Sequence, residues 1–348
     1  MVNEIAPGQK VEGLFCVSSK ALRTTKAGSP FVSLTLSDKS GQIEARIWDN
    51  ANELAQGFEK GDIVLVEAEA VEFNGQCQLK VMKVDLADEV AVDPAHFLPV
   101  SSCDLERAWR TCKEAMKEVK DVTLSMLLRE IFGDKKIIHA FRHAPAAKKM
   151  HHAYIGGLLE HTANLIDLTR LVLKKYHHLQ SDLLLSACLL HDLGKIKELS
   201  WQRPPIEYTD EGRLLGHIGI GIEMIERACV ALGIDAGNER ILALKHIVLS
   251  HHGQKEFGSP VLPMTEEAMV FHMLDDLDAK LNFLSGLKEM RGEHEDWGWS
   301  DYQHLFERYF FLPPTKKDNG ILENMPTNPK EKADGGPIQP SLWRDDEP

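Results

Sequence analysis

Long apolar runs are absent from this chain of 348 residues, and none approaches the roughly 20 residues that a helix needs to span a bilayer. The first residues, MVNEIAPGQKVEG, hold an acidic residue but no basic or apolar signal region, so we expect no secretory leader. Cysteine is sparse: six residues without a CxxC pair predict reduced thiols, no disulfide and no cysteine-bound zinc. These absences predict a cytoplasmic protein with no membrane partner.

An excess of positive charge is also missing. The formal net charge of −13 argues against a protein that coats nucleic acid by bulk attraction, although a local basic groove remains compatible with it. Histidine, in contrast, is plentiful, and several of the sixteen histidines stand beside an aspartate or a second histidine. This composition points to metal chemistry.

The length of the chain and a change of pattern near residue 90 predict two domains and a tail. Over residues 1–88, short alternating β segments are separated by turn residues, as in the hairpin PFVSLTLSDKSGQIEARIW. Five such strands favour a small closed barrel, because closure removes exposed edges. We interpret 89–102 as a linker, 103–313 as a helical region with its core at about 140–313, and 314–348 as a disordered tail rich in proline, glycine and charge.

Apolar residues recur at three- and four-residue steps through the region after the linker. This period predicts eight helices, at 103–118, 122–132, 134–143, 156–176, 181–193, 214–232, 239–250 and 265–287. The predicted fold class is therefore multidomain, with a small β-barrel followed by an all-α bundle.

Histidines on these helices carry the predicted chemistry. His161 shares a face with Leu158 and Leu165 and so points into the core, where a lone histidine is more often a hydrogen-bonded core residue than a ligand. His191 stands at a helix end beside Asp192, and a charged aspartate next to an inward histidine is costly unless something binds it. We interpret Gly194 as the helix stop.

Further signals follow on later helices: His217, the pair His251-His252, and Asp275 in MLDDLDAK. Each of these alone is explained equally well as a solvent-exposed polar side chain. Together they predict a pocket lined by imidazoles and carboxylates, and helix bundles bind divalent metals in such pockets. Nitrogen and oxygen ligands without thiolates suit Mn, Fe, Co, Ni or Mg.

Asp192 is the candidate bridge between two ions, because a carboxylate offers two oxygens and a negative charge. Two ions would activate water and clamp the attacking and leaving oxygens of a phosphodiester. Lys195 either neutralises phosphate charge there or is an exposed surface lysine.

The predicted barrel has an outward face that carries Phe31, Arg46 and Trp48. Exposed aromatics beside arginine, with Lys80 and Lys83 nearby, would stack bases and contact phosphates of a single strand. The alternative is that Trp48 packs under a neighbouring helix. The other barrel aromatics are predicted to be core or interface residues: Phe15, Phe58 and Phe73.

The order of His161, His191-Asp192 and Asp275 resembles the HD superfamily of metal-dependent phosphohydrolases, and HDLGK is close to its usual HDxGK. His217 and His251-His252 resemble the second-metal ligands of two-metal HD domains such as HD-GYP proteins, although the GYP loop is missing from this chain.

More specifically, GGLLEHT, LLHDLGKIKELS, LLGHI, LSHHGQKEFGSP and LDDLDAK resemble the YhaM family of 3′→5′ exoribonucleases, over nearly the whole chain apart from the tail. The resemblance implies an OB-fold that holds single-stranded nucleic acid and an HD domain with two divalent ions (Mn, Fe, Co or Mg) that releases nucleotides. The pair His151-His152 also matches the family, either as a contact to substrate phosphate or as a helix cap. The last ligand lies in LDD rather than the commoner AD, and we prefer Asp275 over Asp276 and Asp278.

Three functions remain open at this point. The first is a metal-dependent 3′→5′ exonuclease acting on single-stranded RNA, with single-stranded DNA as a second substrate; its polarity rests on the resemblance alone. The second is an HD phosphohydrolase acting on a cyclic dinucleotide or nucleotide, with the barrel as an interaction module. The third, a nucleic-acid-binding protein with a structural metal site, is disfavoured because the ligand set exceeds what such a site needs. A homo-oligomer is left open.

Overall fold

The computed structural model describes residues 1–25, 28–54, 56–87, 97–148, 151–202, 205–235, 237–292 and 294–315. The chain divides into two compact units, Met1–Leu284 and Ser285–Pro348. The first part of the predicted linker, 89–96, lies outside the described residues, as does the predicted tail from residue 316. Among the described residues, no helix is both long enough and apolar enough to cross a membrane.

The N-terminal region is a closed barrel of five strands in the order β1-β2-β3-β5-β4, which confirms the predicted barrel. Neighbouring strands are antiparallel, except that β3 and β5 pair in parallel. The strands are β1 (Lys10–Thr24), β2 (Pro30–Asp38), β3 (Gly41–Ile47), β4 (Ile63–Phe73) and β5 (Gln76–Leu86).

The alternation in the first hairpin explains its register. Val32 lies opposite Ile47 and Leu34 lies opposite Ala45, and all four side chains are buried inside the barrel as predicted. The turn between β2 and β3 is closed by the carboxylate of Asp38, which accepts a hydrogen bond from the backbone of Ser40 at 2.7 Å.

Eight helices of nine residues or more follow the barrel among the described residues, as predicted. They are α2 (Leu105–Glu118), α3 (Val122–Ile131), α4 (Lys135–His143), α5 (Gly157–Lys175), α6 (Ser181–Leu190), α8 (Asp210–Leu232), α9 (Glu239–Ser250) and α10 (Glu266–Arg291). The largest differences are of four residues: α10 ends four residues later than predicted, and α8 begins four residues earlier. Thr209 caps it, since its hydroxyl accepts a hydrogen bond from the backbone of Gly212 at 2.9 Å.

Shorter elements were not predicted, because two to four residues carry no measurable period. They are helices α1 (Ala51–Leu54) and α7 (Lys195–Glu198) and strands β6 (Leu199–Ser200), β7 (Glu207–Tyr208), β8 (Gly298–Trp299) and β9 (Phe311–Leu312). Strand β6 pairs with β7, and β8 with β9.

The described residues form two apolar cores, one inside the barrel and one among the helices. The described end of the predicted linker packs against the helical region: Phe97 and Leu98 are buried, and Val100 forms a parallel bridge with Ile155.

Candidate active site

The seven predicted metal ligands lie together in the helical region. His161 is on α5, His191 and Asp192 directly follow α6, and Asp275 is on α10. His161 Nε2 lies 3.0 Å from Asp275 Oδ1 and 3.3 Å from His191 Nε2. The remaining three are His217 on α8 and His251-His252 after α9, whose ligand atoms lie within 4.8 Å of one another.

Asp192 stands between two groups of histidines. Its Oδ2 lies 3.6 Å from His191 Nε2 and 4.0 Å from His161 Nε2, whereas its Oδ1 lies 3.3 Å from His217 Nε2 and 3.7 Å from His251 Nε2. Each oxygen therefore faces a different group. This is the arrangement expected of a carboxylate that bridges two cations.

The imidazoles are turned so that Nε2 faces this centre. In each of the five, Nδ1 is engaged by an oxygen on the outer side, which is how proteins orient metal-ligating histidines. The pairs are His161 with Asp278 Oδ2 (2.7 Å), His191 with the Cys188 carbonyl (3.1 Å), His217 with Glu198 Oε1 (3.0 Å), His251 with the Val248 carbonyl (2.7 Å) and His252 with the Phe257 carbonyl (2.7 Å).

Three atoms of the centre test whether a cation fits. Asp192 Oδ1, His217 Nε2 and His251 Nε2 are buried and have no hydrogen-bond partner among the described residues. A buried polar atom without a partner is costly, so such atoms call for an explanation. Three of them converging on one point fit a divalent cation, which carboxylate oxygen and imidazole nitrogen bind well.

The electrostatics agree for most of the ligands. Burial alone would raise the pKa of Asp192, but Lys195 and the facing histidines outweigh it and hold the pKa well below its usual range. Burial lowers the pKa of His191 and His251, so these side chains are neutral. His161 differs: hydrogen bonds to two carboxylates outweigh its burial and raise its pKa to about 10, so a cation at Nε2 would displace a proton.

Lys195 begins α7 and is buried, which excludes the surface alternative. Its Nζ lies 3.9 Å from Asp192 Oδ1 and 4.0 Å from Glu198 Oε2. The ammonium group is therefore at the edge of the cluster, where the charge of a bound phosphate would be felt.

His151 and His152 have different surroundings. The ring of His151 lies 6.0 Å from that of His161, its Nδ1 is buried without a described partner, and burial lowers its pKa to about 3. His152 is buried with both nitrogens engaged, Nε2 at 2.9 Å from Asp278 Oδ2 and Nδ1 at 2.8 Å from the Tyr154 hydroxyl. The N-cap of α5 is Gly156 and no side-chain cap is formed there, since His152 bonds Asp278 and Tyr154 and His151 Nδ1 has no described partner. The helix-cap alternative is therefore wrong.

The sequence interpretation missed the role of two residues: it did not consider Glu198, and it named Asp278 only as an alternative last ligand. Glu198 holds His217 and Asp278 holds His161. Asp278 lies one helical turn after Asp275, a spacing that places both on one face of α10 and offered a signal. Glu198 had none. The side chain of Asp276 is 42% exposed and pairs with Lys280 at 2.6 Å, away from the centre.

The interpretation of Gly194 as a helix stop is corrected. Its φ of −60° is right-handed, so no left-handed stop exists there. A Cβ at Gly194 would lie 2.0 Å from the carbonyl oxygen of His217, so glycine is required for the close approach of the two backbones. Gly216, at φ 67°, kinks α8 immediately before His217.

The barrel carries an aromatic group on its outer face. The rings of Phe31 and Trp48 stack with centroids 4.7 Å apart, and the Arg46 guanidinium lies 5.7 Å, 5.9 Å and 5.1 Å from the rings of Phe31, Trp48 and Phe73. Trp48 is 40% exposed, and Lys80 lies opposite Arg46 on β5.

Phe73 is not a core residue, since it is 50% exposed beside Arg46 at the end of β4, and its alternative as an interface residue stays a prediction. The matching expectations for Phe15 and Phe58 are confirmed, because both are buried. Lys83 is paired with Glu67 and Asp85 and is less available to a ligand.

Sequence comparison assigns both regions. A model of the family described as HD domain matches residues 158–280, and a model described as OB-fold nucleic acid binding domain, of the tRNA anti-codon type, matches residues 17–87. The chain joins an OB-fold to an HD domain. The HD domain indicates a metal-dependent phosphohydrolase, and its pairing with the OB-fold fits a hydrolase that acts on nucleic acid.

Solved structures with partial similarity include OB-folds. The mitochondrial single-stranded DNA binding protein Rim1 from S. cerevisiae is 15% identical over 24% of this chain and 97% of its own, with a TM-score of 0.21. The second OB-fold domain of replication protein A from Methanococcus maripaludis is 21% identical over 27% of this chain and 97% of its own, also with a TM-score of 0.21. The OB domain of MM0293 from Methanosarcina mazei is 23% identical over 27% of this chain and 88% of its own, with a TM-score of 0.22.

Proposed function

We propose that this protein is a metal-dependent 3′→5′ exonuclease of the YhaM type that hydrolyses phosphodiester bonds of single-stranded RNA and releases nucleotides. The observation that carries the proposal is the position of Asp192, with one oxygen facing each of two histidine groups in a buried HD centre. Single-stranded DNA is a second substrate to test.

The ligands divide between two ions in this proposal. His161, His191 and Asp275 would hold one, His217, His251 and His252 would hold the other, and Asp192 would contact both. When bound, Mn, Fe, Co or Mg would supply Lewis acidity and activate water. Six ligands around a shared carboxylate distinguish this centre from a closed four-ligand structural site.

The remaining side chains bind and orient the substrate. Lys195 stabilises negative charge on the phosphate from the edge of the cluster. His151 is neutral and faces the same centre, so it donates to or accepts from the phosphate without adding charge. His152 acts behind the centre as a positioning residue, because its two nitrogens are already engaged.

The barrel supports a single-stranded substrate. Bases stack on exposed aromatic rings whatever their sequence, and a neighbouring guanidinium binds the phosphates. Phe31, Trp48 and Phe73 around Arg46 provide both kinds of contact. The 3′→5′ polarity and the preference for RNA rest on the resemblance to the YhaM family.

The test uses 5′-labelled single-stranded RNA and DNA of one sequence, incubated with the full chain and Mn²⁺, or with EDTA. An Asp192→Asn variant is compared with Asp276→Asn, which changes a partly exposed aspartate outside the centre. We expect a ladder that shortens from the 3′ end, is abolished by EDTA and by Asp192→Asn, and persists in Asp276→Asn. If both strands stay intact while the protein binds them, the exonuclease assignment fails and cyclic dinucleotides and nucleotides are screened next.

A further inference from the structure

Glu207 on β7 is surrounded by three basic side chains from different parts of the chain. Lys60, in the turn before β4 of the barrel, places its Nζ 2.7 Å from Glu207 Oε1. Lys148, before α5, places its Nζ 2.5 Å from Oε2, and Arg213 on α8 lies 3.7 Å from the same oxygen. The carboxylate of Glu207 therefore links Lys60 of the barrel to Lys148 and Arg213 of the helical region, and the three positive charges outnumber its single negative charge.

These residues border a cavity of about 650 Å³ between the barrel and the helical region. Lys60, Lys148 and Glu207 line it directly. Five hydroxyl side chains line the barrel side of this cavity, together with a carboxylate, an amide and a second barrel lysine: Ser18, Ser19, Thr35, Ser37, Ser40, Asp38, Gln42 and Lys39. Hydroxyl and ammonium donors suit the sugar-phosphate backbone of a strand, whereas stacking bases requires aromatic walls.

The helical wall of the cavity is adjacent along the chain to residues that position the predicted metal ligands. Ala153 lines the cavity and immediately follows His152, which holds Asp278. On the other side, the strand that carries Glu207 pairs with β6, which directly follows Glu198, the partner of His217. A strand in this cavity would therefore lie beside the segments that position the ligands.

The local charge is opposite to that of the whole chain. Three cations face one carboxylate, although the chain has a formal net charge of −13. Side chains at the cluster are accessible to a ligand: Lys60 is 52% exposed and Lys148 is 26% exposed. The two oxygens of Glu207 are bound by two ammonium groups, as two oxygens of a phosphodiester would be.

We propose that Lys60, Lys148 and Arg213 form a phosphate subsite for the substrate strand between the barrel and the metal centre, with Glu207 competing for the lysines. This inference rests on the proposed action on nucleic acid. It assigns Glu207 a measurable role, since a backbone phosphate must displace its carboxylate before the lysines are free to bind. Glu207 thereby weakens strand binding.

The sign of the effect of Glu207 separates this proposal from a purely structural bridge. If Glu207 competes with phosphate, then Glu207→Gln leaves the cations unneutralised and tightens binding of a strand. If Glu207 only ties the barrel to the helices, the same change weakens binding or leaves it unaltered. Lys60→Ala and Lys148→Ala remove cations and weaken binding in the first case.

The experiment measures binding of a labelled single-stranded 20-mer to the full chain in EDTA, where no cleavage is expected, at several salt concentrations. We expect Glu207→Gln to bind several-fold tighter, and Lys148→Ala to bind several-fold weaker with a salt slope reduced by about 0.7, the value for one lost contact to a single strand. Lys245→Ala, which removes a lysine paired with Glu226 elsewhere, is the matched control and should bind like wild type. Unchanged or weaker binding by Glu207→Gln, or no binding of the 20-mer by wild type, overturns the proposal.

Two further arms complete the test. Hydrolysis of bis-p-nitrophenyl phosphate with Mn²⁺ by the wild-type chain reports on the metal centre, so loss of the proposed activity is distinguished from loss of the subsite. Inorganic phosphate and a mononucleotide serve as competitors. If either displaces the strand at a concentration close to the Kd of the strand itself, a strand subsite is contradicted.

Discussion

Asp278 Oδ2 lies 2.7 Å from Nδ1 of His161, while Asp275 Oδ1 lies 3.0 Å from Nε2 on the other side of the same ring. Two aspartates one helical turn apart on α10 thus hold a single imidazole between them. Asp275 faces the centre, whereas Asp278 lies behind it and also accepts from His152 and Asn164.

Replacing Asp278 by asparagine should weaken metal binding rather than abolish activity. A carboxylate behind a histidine ligand sets the orientation and basicity of the ring, and losing it typically costs about 10- to 100-fold in metal affinity. We expect the activity of Asp278→Asn to recover as Mn²⁺ is raised, and that of Asp275→Asn not to recover. Calorimetric Mn²⁺ titration checks the affinity, with Asp276→Asn as control; an unchanged affinity in Asp278→Asn would contradict the role.

Lys195→Met should lower the rate while leaving the metal content intact. The buried ammonium lies beside the cluster without being a ligand, and loss of one such charge-stabilising group typically costs about 10²- to 10³-fold in rate. Metal analysis and single-turnover cleavage check both parts. Lys197→Ala, two residues along α7, should behave as wild type, and an equal loss in both variants would argue against the assignment.

Gly194→Ala should destabilise the protein, because its Cβ would meet the backbone oxygen of His217 at 2.0 Å. Overpacking of this kind costs about 3 kcal/mol of unfolding free energy. Gly219→Ala on α8 is the matched control, since its Cβ meets only ordinary contacts and alanine favours a helix by up to about 1 kcal/mol. Urea denaturation compares them, and equal stabilities would refute the close-approach explanation.

Trp48→Ala should weaken binding of single strands by the full chain without changing its hydrolysis of a minimal phosphodiester. Loss of one stacked base costs about 1–3 kcal/mol, or roughly 5- to 150-fold in affinity. Fluorescence anisotropy of a labelled strand measures the effect. Tyr176→Ala removes an exposed aromatic ring at the end of α5 and should have no effect; the stacking role fails if the two variants bind equally.

Glu207 should make stability depend on pH in the acid range. Burial alone would raise the pKa of Glu207, but hydrogen bonds from Lys148 and Lys60 outweigh it and lower the pKa from 4.5 to about 2. A carboxyl group with a lowered pKa stabilises the folded state above pH 4.5, and its contribution is lost as the pH falls towards 2. Thermal unfolding should show a lower Tm for Glu207→Gln than for wild type at pH 7. The difference in Tm between the two should become smaller as the pH falls below 4.5. A constant difference, or the same trend in Glu226→Gln, would contradict this.

Much of the architecture follows from local patterns. Alternation in Val32, Leu34 and Leu36 indicates which face of β2 fills the barrel, because successive strand residues point to opposite sides. The apolar period of the later region predicts eight helices, and all eight are formed. The residue types of the HD motif also single out seven candidate ligands, which the structure brings together.

Local sequence patterns do not show which side chains from distant parts of the sequence contact one another. Glu198 and Asp278 hold the rings of His217 and His161 across 19 and 117 residues of sequence, and Lys60 meets Glu207 across 147. Phe73 is exposed because β4 ends beside Arg46 of another strand, and Gly194 must be glycine because α8 passes against it. Periodicity reports the environment of a residue along its own element, whereas these pairs arise only when elements distant in sequence pack together.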